Sequence, residues 1–324
     1  MIELDKKQAG EFLAKNNIHD FEIVKVAGDA SFRSYYRIFC ADKKFILMFA
    51  PPKFEDIKPF IKIDEFLIAH DFSAPKIFAS DENFGFILLE DFGDDVYTKV
   101  LKKFEPDNQE LELELYQRAC DCLIGLHKIK PANLPFYNNA LLYREVMLFI
   151  DWYLLGQKKE MSLADKALFK NLWFELFDQL DKENQVTVLR DYHADNLMVL
   201  SDRIGYKKVG LLDFQDAVIG SKAYDLVSLL EDARRDLNEK NRAMLLNYYL
   251  EKSACDKESF LRDYEILSLQ RNIKIIGIFS RLSIRDSKHY YLSLLPRVLN
   301  FIVLRLNSKN QIFSEMSKLL QKFV

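Results

Sequence analysis

The sequence predicts an α+β protein of two lobes, a small β-rich lobe followed by a larger helical one. Two observations support this prediction. Short runs rich in β-branched and aromatic residues, separated by turn signals, fill most of residues 1–92. In residues 93–324, apolar residues recur instead at the three- and four-residue spacing of amphipathic helices. A chain of 324 residues is long enough for two such lobes.

Residues 1–92 are predicted to form a five-stranded sheet with two helices. The helices cover 3–18 and a stretch after Pro51-Pro52 in which Ile57, Phe60 and Leu67 have helical spacing. Turn signals at Gly28-Asp29 and Ala41-Asp42 separate the early strands. The predicted strands are Phe21–Val26, Ser34–Phe39, Lys44–Phe49, 76–81 and 84–93.

Residues 93–324 are predicted to be mainly helical, with the boundary at the link Phe92-Gly93-Asp94-Asp95, where strand patterns give way to helical ones. Two β-rich segments, 187–200 and 207–218, interrupt the helices. Residues 222–321 are predicted as helical, with breaks near Ala254 and Pro296. The earlier helices are predicted at Glu110–Ile129, Tyr143–Leu155 and Ala164–Asp181.

Composition excludes several classes of function. The net charge of −3 and the lack of a compact Lys/Arg run argue against nucleic acid as a partner. No apolar run is long enough for a membrane span, and the N-terminus lacks a signal-peptide pattern. The four cysteines show no zinc spacing. Reduced thiols in a cytoplasmic protein are therefore expected.

Two short segments carry the chemistry: "LRDYHADN" at 189–196 and "LLDFQD" at 211–216. Phosphoryl transfer needs a carboxylate to accept the hydroxyl proton, and oxygen ligands to hold Mg²⁺. Asp191, Asn196 and Asp213 are of these types, and each motif follows an apolar β-run. Either motif alone is weak, but together and in this order they indicate phosphoryl transfer.

The two segments resemble the motifs of the aminoglycoside phosphotransferase and choline kinase superfamily, whose fold is kinase-like. Leu189 and Arg190 replace the His and Gly that usually precede the catalytic Asp. Segments such as "AGDASFRSYYRI", "GFILLEDFGDD" and "LLDFQDAVIGSKAYDLVSLLEDARRD" resemble a bacterial subgroup within it. Characterised members of this subgroup are anomeric kinases of N-acetylmuramate and N-acetylglucosamine that act in the recycling of peptidoglycan sugars.

The resemblance implies ATP and Mg²⁺ as cofactors and assigns roles to individual residues. Asp191 would be the catalytic base, and Asn196 and Asp213 the Mg²⁺ ligands. His193 and Asp225 would support the catalytic loop, although Asp225 is also suited to be a simple helix cap. Glu90 and Phe92 would lie where backbone groups meet adenine. The phosphate-binding loop would consist of Gly28, Asp29, Ala30, Ser31, Phe32 and Arg33.

One departure from the kinase pattern bears on activity. Kinases usually place a Lys on the third strand, facing the phosphates and paired with a Glu on the next helix. Here Met48 occupies that slot, and Glu65 is the predicted helix acid. Because of this departure, a pseudokinase that binds a nucleotide without transferring phosphate is an alternative function. The candidate substitutes for the missing cation are Arg33, Lys44, Lys53 and Lys62.

The sugar pocket is predicted in the helical lobe. Its candidate residues are Glu145, Asp151, Trp152, Gln215, Asp216 and Arg234. For the first three, a solvated helix face with a buried Trp is an equally good interpretation. The cations that could pair with the lactyl carboxylate of muramate or with a phosphate are Arg234, Arg235, Arg271, Lys274 and Arg281. For any single one of these, an ordinary salt bridge is the simpler interpretation.

The function predicted first is an ATP-dependent kinase of the anomeric hydroxyl of N-acetylmuramate or N-acetylglucosamine. A small-molecule sugar would be its partner, without nucleic acid or membrane, and the protein is expected to be a cytoplasmic monomer. Alternatives are a kinase of another small hydroxyl acceptor, such as an aminoglycoside or choline, and the pseudokinase.

Overall fold

The computed structural model describes residues 4–28, 32–105, 109–307 and 313–324. It has the predicted α+β composition and contains two compact units. The first unit consists of Met1–Val100 together with Asp195–Asp216, and the second of Leu101–Ala194 together with Ala217–Val324. The predicted boundary, between residues 92 and 93, therefore differs from the division in the structure.

The first unit contains the predicted five-stranded sheet within its described residues. All neighbouring strands are antiparallel, and their order is β1-β2-β3-β5-β4. Helices α1 and α2 cover Lys6–Lys15 and Lys58–Ala69, as the sequence pattern predicts. The strands are β1 Phe21–Gly28, β2 Ser34–Cys40, β3 Lys43–Phe49, β4 Ile77–Asp81 and β5 Phe86–Glu90.

The side chains of α1 and the sheet form one apolar core. Asp5 begins α1, because its carboxylate accepts hydrogen bonds from the amides of Lys7 and Gln8. Phe12 is 4% exposed and packs against Phe86 of β5, with ring centroids 5.4 Å apart. Burying an aromatic side chain of this size contributes about 2–3 kcal/mol. This contact fixes α1 on the sheet.

A later hairpin also belongs to the first unit. It consists of β7, Leu197–Val199, and β8, Val209–Leu211. The amide of Leu211 donates to the carbonyl of Ser73 at 2.8 Å, and the amide of Val199 donates to the carbonyl of Asp95 at 2.8 Å. These backbone bonds explain why 195–216 groups with the sheet although it lies far from it in sequence.

In its described residues the second unit contains helices and one strand pair, β6 Gln185–Val188 and β9 Val218–Ser221. Helix α3, Tyr97–Lys103, spans the boundary between the two units along the chain. Helix α9 spans 30 residues and is mostly buried. The helices of this part are α4 Gln109–His127, α5 Asn139–Leu148, α6 Leu163–Asp178, α7 Ala223–Leu230, α8 Glu239–Ser253, α9 Lys257–Asp286, α10 Leu295–Leu306 and α11 Ser314–Leu320.

The predicted helix Tyr143–Leu155 is divided in the structure. Helix α5 ends at Leu148, and a π-helix covers Phe149–Leu154. Gly277 of α9 lies against this junction, where an added Cβ would meet the backbone carbonyl carbon of Leu148 at 2.4 Å. Glycine therefore permits a close approach at the point where the helical pattern changes. Such π-turns are common at functional sites.

The long helical stretch predicted at 222–321 has more breaks than the sequence indicates. Ala254 has φ +49° and ends α8, as predicted. Ser287 has φ +55° and ends α9. Pro296, expected to mark a break, instead lies in the first turn of α10, where its missing N–H costs little. In the part of the chain that is described, no helix is long and apolar enough to cross a membrane.

Candidate active site

The loop after β6 is held by a buried carboxylate from α7. Asp225 is fully buried and accepts hydrogen bonds from the amides of Leu189 and Arg190, at 2.6 and 2.8 Å. Burial raises the pKa of Asp225 to about 7, although the two amide bonds and the charge of Arg271 act in the opposite direction. These bonds hold the backbone of the two residues that directly precede Asp191.

Arg190 has φ +70°, in the left-handed region that favours glycine. It stands where the resembling superfamily usually carries Gly, so the loop keeps the glycine conformation without the residue. A non-glycine residue in this region costs about 1–2 kcal/mol. The Arg190 guanidinium donates to Glu145 and lies over the Tyr137 ring at 5.4 Å, and these contacts offset the strain.

Asp191 is accessible and surrounded by cations. Its side chain is 38% exposed, and one carboxylate oxygen lies 4.0 Å from Nη1 of Arg271. Desolvation raises the pKa of Asp191, but the charges of Lys274 and Arg271 outweigh it and keep the pKa below the usual value. Asp191 is therefore ionised at neutral pH and able to accept a proton.

His193 stands two residues after Asp191 and is buried, with 4% exposure. Its amide donates to the Asp191 carbonyl at 3.2 Å, and Nη1 of Arg234 donates to its Nε2 at 3.3 Å. Burial, with the charge of Arg234, lowers the pKa of His193 well below its usual value. A neutral imidazole therefore links Arg234 to the Asp191 loop.

Glu145 of α5 is buried at 7% exposure, and its carboxylate is fully engaged. It accepts hydrogen bonds from Tyr137, Arg190 and, at 3.1 Å, Gln270, and Lys274 lies 3.0 Å away. Desolvation raises the pKa of Glu145, but Lys274 and Arg190 hold it below the usual value. Glu145 thus braces the cations beside Asp191.

The π-helix presents the other two predicted pocket residues of this segment. Asp151 is exposed and Trp152 partly exposed. Arg234 is also partly exposed, and its guanidinium lies over the Phe279 ring at 5.9 Å.

The predicted metal ligands lie together in the first unit, at the open end of the β7–β8 hairpin. The amide of Leu212 donates to the carbonyl of Asn196 at 3.0 Å, which brings Asn196 opposite the residue before Asp213. Asp213 has φ +57°. Phe214 is buried against Phe60 of α2, with ring centroids 5.0 Å apart. This packing fixes the turn that carries Asp213.

Two side chains approach the carboxylate of Asp213. Nε2 of Gln215 donates to it at 2.9 Å, and Nη2 of Arg33 lies 3.7 Å from it. Gln215 is therefore bound to Asp213, and Asp216 is exposed to solvent. Arg33 is 8% exposed. A buried guanidinium thus lies beside the predicted metal ligand.

The predicted phosphate-binding loop is described only at its ends. Gly28 ends β1 opposite Ser34 of β2, and Phe32 is exposed and stacks on Phe54, with centroids 4.6 Å apart. Asp29, Ala30 and Ser31 lie outside the described residues.

The predicted adenine-contact segment follows β5. Glu90 accepts a hydrogen bond from Nη2 of Arg203 at 2.6 Å. The same guanidinium lies over the Phe92 ring at 4.9 Å. Gly210 of β8 leaves room for this ring, since an added Cβ there would meet it at 3.0 Å. The segment is thereby fastened to the β7–β8 hairpin.

The slot of the usual kinase lysine is apolar. Met48 is 1% exposed, between Tyr35 of β2 and Ile87 of β5. Lys44 and Lys53 are exposed, over the rings of Phe39 and Phe54.

The predicted helix acid, Glu65, is exposed, whereas its neighbour Asp64 is 1% exposed. Successive residues of a helix point in different directions, and in α2 Asp64 faces inward and Glu65 outward. Because Asp64 and Glu65 are both acidic, the residue types alone do not indicate which of the two faces inward.

Sequence reasoning missed Tyr137 and Gln270, which donate to Glu145, and the role of Arg190. Tyr137 and Gln270 carry no motif. Arg190 did carry a signal, because a large residue in the place of a glycine needs compensating contacts. The sequence therefore predicts that Arg190 makes compensating contacts, but it does not identify Glu145 as the partner.

Comparison with known proteins agrees with the motifs. The model of the phosphotransferase enzyme family matches residues 22–264. The chain is 36% identical to the N-acetylmuramate/N-acetylglucosamine kinase of Pseudomonas aeruginosa, covering 87% of this chain and 82% of that protein. It is 31% identical to the kinase of the same name from Caulobacter vibrioides, covering 89% and 88%.

A solved structure has the same fold: an aminoglycoside phosphotransferase with bound ADP, at TM-score 0.62 and 14% identity, covering 93% of this chain and 99% of that one. The predicted kinase-like fold and the predicted superfamily are thereby confirmed. The chain belongs to the phosphotransferase enzyme family.

Proposed function

We propose that this protein transfers the γ-phosphoryl group of ATP to the anomeric hydroxyl of N-acetylmuramate or N-acetylglucosamine. The observation that carries the proposal is similarity over 87–89% of the chain to proteins named as kinases of these two sugars. The geometry adds an accessible, ionised Asp191 on a braced loop. A sugar-1-phosphate would be the product.

Asp191 is the proposed general base and accepts the proton of the attacking hydroxyl. Its lowered pKa makes it a weak base, which suits an anomeric hydroxyl because the ring oxygen makes this hydroxyl more acidic than an ordinary alcohol. Asp225 and Glu145 do not touch the sugar in this scheme. Asp225 holds the loop backbone, and Glu145 holds Arg190 and Lys274 in place.

Asn196 and Asp213 are the proposed ligands of Mg²⁺. Their amide and carboxylate oxygens suit a hard cation, and Mg²⁺ typically takes only one or two carboxylates, with water and phosphate completing the shell. No cluster of three or more His, Cys, Asp or Glu suited to a metal occurs in the described residues, and such a cluster is not needed here. When bound, Mg²⁺ would neutralise charge on the phosphates.

The first unit carries the proposed nucleotide-binding residues. Residues 28–33 would cover the phosphates, and Glu90 and Phe92 would present the backbone to adenine. Arg33 is the proposed replacement for the missing lysine, because it is buried beside Asp213 whereas Met48 carries no charge. We thus assign nucleotide binding to residues 1–92 and the sugar to 93–324.

The cations near Asp191 argue against an aminoglycoside acceptor. Arg271, Lys274 and Arg190 each lower the pKa of Asp191 by their charge, and an acceptor with several positive charges would meet this same field. A neutral or anionic sugar fits better. The residues that remain proposed sugar ligands are Asp151, Trp152, Gln215, Asp216 and Arg234.

We also propose that the protein is a monomer in the cytoplasm. Size-exclusion chromatography would test its oligomeric state, and cell fractionation would test its location.

The test is incubation of the purified protein with Mg-ATP and each sugar, followed by ³¹P NMR. We expect sugar-1-phosphate from N-acetylmuramate, N-acetylglucosamine or both. Asp191→Asn should lower kcat by about 10²–10⁴-fold with little change in nucleotide affinity. Asp213→Asn should instead weaken binding of Mg-ATP, measured by calorimetry. A wild-type protein that binds Mg-ATP but phosphorylates neither sugar would disprove the proposal and favour the pseudokinase.

A further inference from the structure

Helix α9 carries three cations on one face, beginning beside Asp191. Arg271, Lys274 and Arg281 are spaced by three and seven residues, which places them on the same side of an α-helix. Arg281 lies about 15 Å beyond Arg271 along the helix axis, at 1.5 Å per residue. The row therefore leads away from the proposed catalytic base.

The two cations closest to Asp191 are already engaged. Arg271 donates to the Arg190 carbonyl at 3.3 Å and lies 4.0 Å from Asp191. Lys274 pairs with Glu145 at 3.0 Å and contacts the Tyr224 hydroxyl at 3.3 Å. Both are buried, with exposures of 4% and 6%. Their positive charges are thus committed to the catalytic loop and its support.

Arg281 differs from both. In the described part of the chain it forms no hydrogen bond or ion pair, and its Nε is buried without an acceptor. The acid that follows on the helix, Asp286, is held instead by Arg285, through two contacts at 2.7 and 2.8 Å. Burial, with the charge of Arg285, lowers the pKa of Arg281, although the charge of Asp286 acts in the opposite direction. A partly buried guanidinium that hydrogen-bonds to no anion is unfavourable unless a ligand supplies one.

The burial pattern shows that α9 opens at this point. Between Ile266 and Ser283, every residue is buried except Ile278 and Arg281, which are partly exposed. Residues 278 and 281 share the helix face of Arg271 and Lys274. The accessible part of this face therefore begins at Ile278, beyond the buried Arg271 and Lys274, and includes Arg281.

The segment with the predicted sugar ligands runs alongside. Leu148 lies against Gly277, and Gly156 lies against Ile284. The π-helix Phe149–Leu154 therefore passes α9 between these two points, in the same direction. By interpolation, Trp152 lies level with Arg281. A partly exposed aromatic ring at the level of a cation without a partner is a suitable site for a sugar that carries an anionic substituent.

We propose that Arg281 binds the lactyl carboxylate of N-acetylmuramate and so sets the preference between the two sugars. This inference rests on the proposed function. N-acetylmuramate differs from N-acetylglucosamine only by the lactyl ether on O3, and C3 is two ring atoms away from C1. In the proposed pose the C1 hydroxyl lies at Asp191 and the lactyl group points along α9 towards Arg281. Arginine suits this role because its fork of N–H groups matches a carboxylate.

The experiment compares kcat/KM for the two sugars in the wild type, Arg281→Gln and Arg281→Lys. The ratio of kcat/KM for N-acetylmuramate to that for N-acetylglucosamine should fall about 10–100-fold in Arg281→Gln, the loss expected for one charged hydrogen-bonded pair. Arg281→Lys should give an intermediate ratio, because it keeps the charge and loses the fork. Partial unfolding of a variant would lower both values together and leave the ratio informative.

Lys257→Gln is the matched control. Lys257 is exposed in the first turn of the same helix, far from Arg281, so its loss should leave the ratio unchanged. The methyl ester of N-acetylmuramate, which lacks the negative charge, should be a poor substrate of the wild type and lose little further in Arg281→Gln. An unchanged ratio in Arg281→Gln, or a wild type that accepts N-acetylglucosamine alone, would overturn the inference.

Failure of the proposed function would give a different result. If the wild type phosphorylates neither sugar, calorimetric titration with N-acetylmuramate still decides the role of Arg281. Weaker binding of this sugar by Arg281→Gln than by the wild type would support the inference without any activity. Equal binding by the two proteins, or no binding by the wild type, would overturn it.

Discussion

Asp64 in the first unit and Asp225 in the second are both acidic residues on helices, with exposures of 1% and 0%. Desolvation raises the pKa of both, to about 8 and about 7. Their partners differ. Asp225 accepts two backbone amides, one on each oxygen, whereas Oδ2 of Asp64 is buried without a partner. Two acids of nearly equal burial therefore have different roles. Asp225 holds the loop that carries Asp191, whereas Oδ2 of Asp64 binds no donor among the described residues.

A third acid extends the comparison. Glu145 is also buried, but Lys274 and Arg190 outweigh the desolvation and lower its pKa. Burial alone thus fixes neither the charge nor the role of a carboxylate in this protein. The charge and the role of each carboxylate depend on its partners. Cations keep Glu145 ionised, and two backbone amides bind Asp225. Asp64 is largely neutral at neutral pH. Substituting each acid should separate these cases.

The largest effect is expected for Glu145→Ala. The substitution leaves the buried cations Arg190 and Lys274 without their carboxylate, which typically destabilises a protein by about 3–5 kcal/mol. Urea denaturation at pH 7 measures the loss. Since Glu145 has a lowered pKa, its contribution is present above its ordinary value of 4.5 and disappears as the pH falls through the folded pKa.

Two variants make this prediction specific. Glu175 is an acid of the second unit with no ion pair among the described residues, so Glu175→Ala should change the free energy of unfolding by less than about 0.5 kcal/mol. Glu145→Gln keeps the shape and removes only the charge. If Glu145→Gln is as stable as the wild type at pH 7, the cations do not depend on Glu145.

The sequence predicted the first unit better than the second for a physical reason. Alternating apolar runs and turn residues locate each of β1 to β5 within a few residues, because both signals are local. The close approach of α9 to Leu148, where α5 ends, depends instead on Gly277, more than a hundred residues later. The place of 195–216 beside the sheet depends likewise on distant backbone partners, Ser73 and Asp95. No local pattern carries such information.

The second effect in size is expected for Asp225→Asn. An amide side chain can accept from only one of the two amides, those of Leu189 and Arg190, and directs its own N–H groups at the other. Leaving one buried amide without an acceptor costs about 1–3 kcal/mol. The loop that carries Asp191 should loosen, so kcat should fall while the KM for ATP changes less. Steady-state kinetics with denaturant melts measures both.

An Asp225→Asn variant with wild-type kcat and stability would show that the two bonds do not hold the loop. Asp121 provides the matched control, because this acid of α4 is exposed and, among the residues that the structure describes, accepts a hydrogen bond only from the Tyr248 hydroxyl. Asp121→Asn should have little effect on either quantity.

The same distinction between local and distant information applies to the candidate site. The types and spacing of Asp191, Asn196 and Asp213 could be found in the sequence because phosphoryl transfer restricts which side chains serve. The surroundings could not. That Glu145 binds Arg190 and Lys274, and that Arg281 forms no ion pair in the described part of the chain, follows from how α5 and α9 pack. Charge networks of this kind join helices far apart in sequence, and many alternative pairings satisfy the same composition.

Asp64→Asn is expected to act in the opposite direction from the other two substitutions and to stabilise the protein at neutral pH, because the folded wild type must take up a proton that a replacement of similar shape does not need. The effect should depend on pH. Asp64 has a folded pKa near 8 and an ordinary value of 3.8, so the folded state binds a proton that the unfolded state has released. Wild-type stability from this group therefore falls as the pH rises between these values, by at most about 1.4 kcal/mol per pH unit. The free energy of unfolding of the variant should increase relative to that of the wild type from pH 5 to pH 8, measured by urea denaturation at each pH.

Glu65→Gln is the matched control, because Glu65 is an exposed acid on the same helix. Its stability should differ from that of the wild type by a nearly constant amount over this pH range. A constant difference for Asp64→Asn as well would mean that Asp64 is ionised in the folded protein and has a partner after all, and its contrast with Asp225 would disappear.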